Sequence, residues 1–351
     1  MPRSRDKLKV AVVGAGWVVS NRHVPSLLKS DLCDLVGVVD ADPQRADKLQ
    51  RRYRLKYQAS ARSLSEVEWM EKVQALSIGV SPMVHYQLTK EALNLGKHVI
   101  LEKPMALTVG QGEDLCSIAH ETRLTLSIVH NFQFTSSFLT LKRMITQGDM
   151  GEIRGIAAIQ LSSPQRRLPS WYDTLPYGLF YDESPHLLYL LKSLAKGIRL
   201  LSAVTHPSLE GKSTPALITA HYTDEQNLPI FLYMNFESPI SEWQLCVMGA
   251  RKIATVDVFR DILVVIPCDR SHQATDILRT SFAAASSHFR GVFVSGMRLI
   301  TKNLLYGNEE VFARFLKAVK TGAIPAEISS EDGLQVLRMQ HEIMDKAQVS
   351  S

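Results

Sequence analysis

The chain has 351 residues, enough for two domains at roughly 150 residues each. With 45% apolar and 21% charged residues it has the composition of a packed globular protein, which excludes disordered, collagen-like and low-complexity classes. Forty basic against thirty-five acidic side chains leave a net charge of +5, too mild and too evenly spread for a nucleic-acid binder.

No run of about 18 apolar residues occurs, so no membrane span is expected. Cys33, Cys116, Cys246 and Cys268 form no C-x-x-C pair, which argues for a reducing, cytoplasmic setting. Arg3, Arg5, Lys7 and Lys9 precede an apolar run and imitate a signal peptide. Gly14 and Gly16 break that run and no small-residue cleavage site follows, so the segment reads as a first strand.

In chain order, 8–13 is a β-branched strand of the buried type, followed by Gly14-Ala15-Gly16 and a helical stretch to about Lys29. A second strand, 35–39, ends at Asp40. A helix follows from Pro43 to Tyr53, then a strand at 73–80 and a helix from Met83 to Leu95 closed by Gly96. The alternation continues with a strand at 98–101, a helix at 109–122 and a strand at 124–129. This predicts an α/β, doubly wound parallel sheet of Rossmann type over residues 1–130.

The pattern then changes. A helix covers 136–147, and strands are expected at 153–162, 199–206, 215–223, 229–237, 242–248, 252–258 and 261–266, with one early helix at 185–195. Helices at 309–321 and 331–347 end the chain, and no element is assigned between 267 and 308. Residues 131–351 therefore read as a second, α+β domain with a large, mostly antiparallel open sheet. A cleft between the domains is the expected ligand site, and the sheet's sparsely covered face predicts a homodimer or homotetramer.

Gly14-Ala15-Gly16-Trp17-Val18-Val19 is a G-x-G-x-x-V turn between strand and helix. Gly14 permits the tight turn, and Gly16 lets backbone approach a pyrophosphate at the helix N-terminus. Val19 replaces the third glycine, which predicts looser helix–strand packing. Asp40, 24 residues after Gly16, closes the second strand where a ribose-binding acid belongs. Its carboxylate favours NAD over NADP by repelling a 2′-phosphate, while Arg45 keeps NADP open. Trp17 and Val18 complete the expected cofactor loop.

A buried strand ends in Glu102-Lys103-Pro104, at the carboxyl end where open α/β sheets bind ligands. Lys103 can hold a substrate oxygen and favour the alkoxide, and a cis Lys-Pro bond would fix its direction. Further on, Ser184 reads as an N-cap and Pro185 as a first helical residue, which puts His186 in a first turn where the dipole disfavours imidazolium. A neutral histidine beside a carboxylate suits general-base work near neutral pH.

The fingerprint, Asp40-Ala41-Asp42-Pro43-Gln44-Arg45, Glu102-Lys103-Pro104, the Gly148–Ile153 joint and the Asp182/His186 pair together resemble the glucose–fructose oxidoreductase/inositol dehydrogenase (Gfo/Idh/MocA) family over nearly the whole chain. The family pattern near the pair is D-x-G-x-H-x-x-D after a Gly-rich run. This chain has Ser184 for the inner Gly and Tyr189 for the final Asp. The resemblance implies His186 as acid/base, Lys103 as the group positioning the substrate oxygen, and Asp182 as the orienting carboxylate. It places Ser81, His85 and Glu102 near the nicotinamide, and Asn131 near substrate. Trp171 and Tyr172, beside Arg166 and Arg167, form a candidate sugar-binding rim that leaves a nucleotide-linked sugar open. No H-E-x-x-H or other metal-ligand spacing occurs, so no metal is expected.

These readings converge on an NAD-dependent dehydrogenase or reductase, with NADP not excluded, acting on a secondary hydroxyl or ketone of a sugar, cyclitol or sugar derivative. The alternatives are an NAD-dependent glycoside hydrolase that oxidises its substrate transiently, and a nucleotide sensor without catalysis.

Overall fold

The computed structural model describes residues 7–208, 210–269, 271–301 and 304–349; Arg3 and Arg5 lie outside them. The chain divides into two compact units. One contains the residues up to Asn131 together with Gly307–Arg338, the other Phe132–Tyr306 together with the residues from Met339 on.

In the first unit, β1 (Leu8–Val13), β2 (Cys33–Asp40), β3 (Tyr57–Ser60), β4 (Ala75–Ile78), β5 (His98–Leu101) and β6 (Leu126–Ile128) form one parallel sheet, ordered β3-β2-β1-β4-β5-β6. The order reverses between β1 and β4, which makes their carboxyl ends the topological switch point. Strands β4 and β6 are buried at every position, as parallel strands between two helix layers must be. Helices α1 (Val24–Leu28), α2 (Pro43–Tyr53), α3 (His85–Asn94) and α4 (Val109–Thr122) connect them. Helix α2 starts where the sequence says it should: the Asp42 side chain accepts from the Gln44 and Arg45 amides, and Pro43 opens the first turn.

The second unit begins with α5 (Ser136–Thr146), β7 (Ile153–Leu161) and α6 (Leu179–Leu194). Then come β8 (Arg199–His206), β9 (Leu217–Thr223), β10 (Ile230–Asn235), β11 (Glu242–Gly249), β12 (Lys252–Asp257), β13 (Ile262–Pro267) and a 27-residue helix, α7 (Ala274–Ile300). Helices α8 (Asn308–Thr321) and α9 (Ser330–Lys346) and strand β14 (Ala347–Val349) complete the chain. The eight-stranded sheet runs β13-β12-β11-β7-β10-β9-β8-β14. Its neighbours are antiparallel except β7/β10 and β8/β14. The α/β plus α+β reading is thus the observed architecture.

Several features depart from expectation, among them β3 and β14, to which no strand was assigned. Helix α7 fills a stretch to which no element was assigned. And Gly307–Arg338, expected in the second domain, packs with the first unit. His130 Nδ1 meets Asp332 Oδ2 at 2.8 Å, Arg338 donates to Glu113 at 2.7 Å, and Leu334 joins the core of Leu101, Leu115 and Ile128. A Cβ on Gly333 would stand 2.4 Å from Ile128 Cγ1, so this close approach depends on glycine.

Candidate active site

The G-x-G loop is fixed by its own strand ends. Gly14 sits at φ +92, a conformation natural to glycine, and a Cβ there would be 2.4 Å from the Gly79 carbonyl oxygen. Asp40 Oδ2 accepts from the Ala15 amide at 2.6 Å, and Oδ1 from the Asp42 amide at 2.8 Å. Val19 does not loosen the packing. It is fully buried, and Gly79 supplies the room, since a Cβ there would be 2.5 Å from Val19 Cγ2. The glycine missing from the helix side is replaced by one on the strand side. The helix opens with a π-type turn over Val19–His23.

The Glu102-Lys103-Pro104 turn is held by two buried histidines, and its Lys103-Pro104 bond is cis. His23 Nε2 donates to Glu102 Oε1 at 2.8 Å, while Nδ1 meets the Ser77 hydroxyl at 2.8 Å. Glu102 Oε2 accepts from the Lys103 amide at 3.1 Å. Burial alone would raise the Glu102 carboxyl, but the His23 hydrogen bond and the nearby charges of His23 and Lys103 outweigh it and hold it below its ordinary value. Glu102 therefore braces the turn.

His85, expected near the nicotinamide, has no exposed surface. Its Nδ1 lies 2.7 Å from the Pro104 carbonyl and Nε2 3.2 Å from the Val80 carbonyl. Carbonyls only accept, so a neutral ring donates to one of them, and the shorter contact puts the proton on Nδ1. Burial disfavours the imidazolium and lowers the pKa from 6.5. His98, whose Nδ1 accepts from the Thr125 amide, is lowered by burial as well. The unfolded chain thus binds protons that the folded one refuses. Stability is complete above pH 6.5 and falls as pH drops through 6.5 toward the folded pKa. We expect His85→Gln to flatten this slope, measured by urea unfolding between pH 7.5 and about pH 5.

Helix α6 begins at Leu179, six residues before the expected start. Gly178, at φ +53, makes the entry turn, and a Cβ there would be 2.0 Å from Thr214 Oγ1. That same hydroxyl accepts from the Leu179 amide at 2.9 Å. Pro185 therefore lies inside the helix, where its missing N–H leaves the Tyr181 carbonyl without its intrahelical donor. Gln340 Nε2 supplies the bond, at 2.7 Å to Tyr181 O and 2.8 Å to Ser184 Oγ. Gln340→Leu should cost about 1–3 kcal/mol in urea unfolding, and Pro185→Ala should recover part of that loss by restoring the N–H.

The early start also moves His186 out of the first turn, so the helix dipole is not what governs it. His186 is buried, and its Nδ1 meets the Tyr189 hydroxyl at 3.0 Å. That hydroxyl accepts from the Phe132 amide at 3.0 Å. The rings of Phe132 and Trp243 stand 4.9 and 5.2 Å from the imidazole. Asp182 lies one turn before His186 on the same helix. Sequence reasoning missed Phe132 and Trp243, and noted Tyr189 only as a departure. Arg166, a candidate for the rim, is committed to buried Glu183, which also accepts from Gln160 and Ser162.

Asn131 is buried and opens a 3-10 turn, Asn131–Phe134. Trp171 and Tyr172 are half-buried beside the 3-10 turn Tyr172–Thr174. The Ser81 hydroxyl donates to Met83 Sδ, Trp17 and Val18 are exposed, and Arg45 pairs with Asp42 at 3.2 Å. Among the described residues, no group of three or more His, Cys, Asp or Glu is placed to hold a metal ion, and no helix is long and apolar enough to cross a membrane.

Residues 8–130 match the profile described as an oxidoreductase family with an NAD-binding Rossmann fold. An uncharacterized oxidoreductase of Schizosaccharomyces pombe, C115.03, is 30% identical over 256 residues, which is 70% of this chain and 69% of the relative. The chain belongs to the Gfo/Idh/MocA oxidoreductase family. Another member, scyllo-inositol 2-dehydrogenase (NADP(+)) of Bacillus subtilis, is 30% identical over 154 residues, 43% of this chain and 41% of that one. The chain spans about half the length of the first curated relatives it matches. Among solved structures, a 3-ketoreductase of Actinomadura kijaniata in complex with NADP and TDP-benzene superposes with a TM-score of 0.76 at 20% identity, covering 98% of this chain and 99% of that one.

The family's dinucleotide fits the loop of this member. A Cβ built on Gly16 meets nothing within 4 Å, so the backbone there is open to close approach. Asp40 spends two of its roughly four lone-pair directions on the loop amides, which leaves two to accept ribose hydroxyls.

Proposed function

We propose that this protein moves hydride between NAD(H) and a secondary hydroxyl or ketone of a sugar, cyclitol or sugar derivative. The observation that carries the reading is the Glu102-Lys103-Pro104 turn, braced by His23 and His85 at the carboxyl end of β5, beside the switch point of an NAD-binding-type sheet. The bound nicotinamide supplies the hydride acceptor or donor.

Gly14, Gly16 and the Ala15 amide would cradle the pyrophosphate, and Asp40 would accept from the ribose. The Lys103 ammonium would hold the substrate oxygen and lower the cost of its developing charge. His186 would take the hydroxyl proton in oxidation and return it in reduction, with Tyr189 holding Nδ1 and Asp182 adding a carboxylate on the same helix face. Asn131, Trp171 and Tyr172 would contact substrate. Since Arg166 is paired with Glu183, it no longer argues for a nucleotide-linked substrate.

The test is a panel of sugars, cyclitols and nucleotide sugars with NAD and NADP, followed at 340 nm. Net NADH formation with the carbon skeleton intact supports the dehydrogenase. Glycoside cleavage without net NADH would replace it with the hydrolase, and cofactor binding without any turnover would favour the sensor.

A further inference from the structure

Helix α7 turns the wrong face to its own sheet. The residues of α7 that meet β13 and its entry include small and polar ones: Ser295 is buried, a Cβ on Gly291 would stand 2.5 Å from Ile262, and Arg298 reaches Asp261 at 3.3 Å. The opposite face carries Phe282, Phe289 and Phe293, at 73%, 76% and 66% exposure, with Leu278 and Ile300 also exposed. A helix that packs normally does the reverse.

The outward row is Leu278, Phe282, Ala285, Phe289, Phe293, Gly296 and Ile300. Its spacings, 4-3-4-4-3-4, read the same in both directions about Phe289. Laid antiparallel on a second copy across a two-fold axis at Phe289, Phe282 faces Gly296, Phe293 faces Ala285, Leu278 faces Ile300, and Phe289 faces itself. Each large side chain meets a small one except at the axis and the ends, as an isologous interface requires. Glycine inside a helix is destabilising relative to alanine. Within one copy Gly296 repays nothing, because a Cβ there meets no atom within 4 Å.

We propose that α7 is a homodimerisation helix that pairs antiparallel with α7 of a second copy about Phe289. The area exceeds that of an ordinary monomer's patch. The five large side chains of the row, Leu278, Phe282, Phe289, Phe293 and Ile300, present about 650–700 Å² of apolar surface, against ~300–600 Å² for the largest patch of an ordinary monomer and ~800 Å² that each partner of a standard interface buries. A membrane surface is the less favoured occupant. Of the three arginines of α7, Arg279 is paired with Asp276 and Arg298 with Asp261, so with Arg290 alone remaining the helix lacks the row of basic residues that an interfacial helix uses.

Sedimentation velocity of the full chain across nanomolar to micromolar concentrations tests this. The native protein should be dimeric. Gly296→Leu, whose Cβ meets nothing within 4 Å in its own copy, should leave the circular dichroism spectrum unchanged and weaken the dimer at least tenfold. Adding Phe282→Ala should restore it to within about threefold, because the large and small partners have been exchanged. In a Cys246→Ser, Cys268→Ser background, Phe289→Cys should form a disulfide with its own copy on mild oxidation. A micromolar monomer would overturn the proposal. So would a dimer indifferent to Gly296→Leu, or a monomer that floats with anionic phosphatidylserine vesicles.

Discussion

His186→Ala should lower turnover by about 10²–10⁴-fold while NADH binding stays within a few-fold of the native protein, since the side chain serves the proton and not the dinucleotide. Lys103→Met should lose a similar factor, at least about 10²-fold, through the missing charge on the substrate oxygen. The two differ in their pH dependence. His186→Ala should remove the limb of the kcat profile that reports the acid/base, and Lys103→Met should leave it in place. Tyr189→Phe keeps the ring but deletes the hydroxyl on Nδ1. It should shift that limb and cost less than His186→Ala. These values come from steady-state kinetics on whichever substrate the panel identifies. Near-native turnover in either principal variant would remove that residue from the chemistry.

Asp40→Ala should weaken NADH binding by roughly 10²-fold and reverse the preference between NADH and NADPH. Two causes act together. The Ala15 amide loses a charge-assisted partner at 2.6 Å, so the loop is no longer pinned to the end of β2, and the ribose hydroxyls lose their acceptor. The loop cause falls on both cofactors; the ribose cause falls on NADH alone, and NADPH is relieved of a like charge. Fluorescence titration separates them, because the ratio of the two dissociation constants reports the ribose and their common change reports the loop. Asp40→Asn, which retains one amide acceptor, should fall between.

The parts of this fold that were legible in the sequence are those whose signals are local. Helix α2 was read to the residue because Pro43 opens it, and the structure adds the Asp42 cap. Strands β1 and β5 were read as well, because short β-branched runs ending in Gly14 and Glu102 have few other uses. Helix α6 was misread at its start for the converse reason. Ser184-Pro185 looks like a local start signal, and what permits a proline inside the helix is Gln340, far along the chain. The same distance hid the return of Gly307–Arg338 to the first unit, which rests on His130 and Asp332.

In the site, the glycines, Asp40 and Lys103 could be named because the chemistry constrains their residue types. His85 could not be told from a ligand-facing histidine, since only the fold shows it bonded to the Pro104 carbonyl. Arg166 looked available for an anion until Glu183, on a different element, claimed it. Helix α7 was not assigned at all. Its apolar row faces away from its own sheet, so it lies outside a pattern read for burial within one chain.

The measurement that bears most directly on the account is an equilibrium titration of the native protein with NADH and, separately, NADPH, followed by nicotinamide fluorescence. Saturable NADH binding, tighter than NADPH and abolished or reversed in preference by Asp40→Ala, is the predicted result. Saturable binding of neither cofactor would contradict the dinucleotide reading of the Gly14–Gly16 loop, and with it the roles proposed for Lys103, Asp182 and His186.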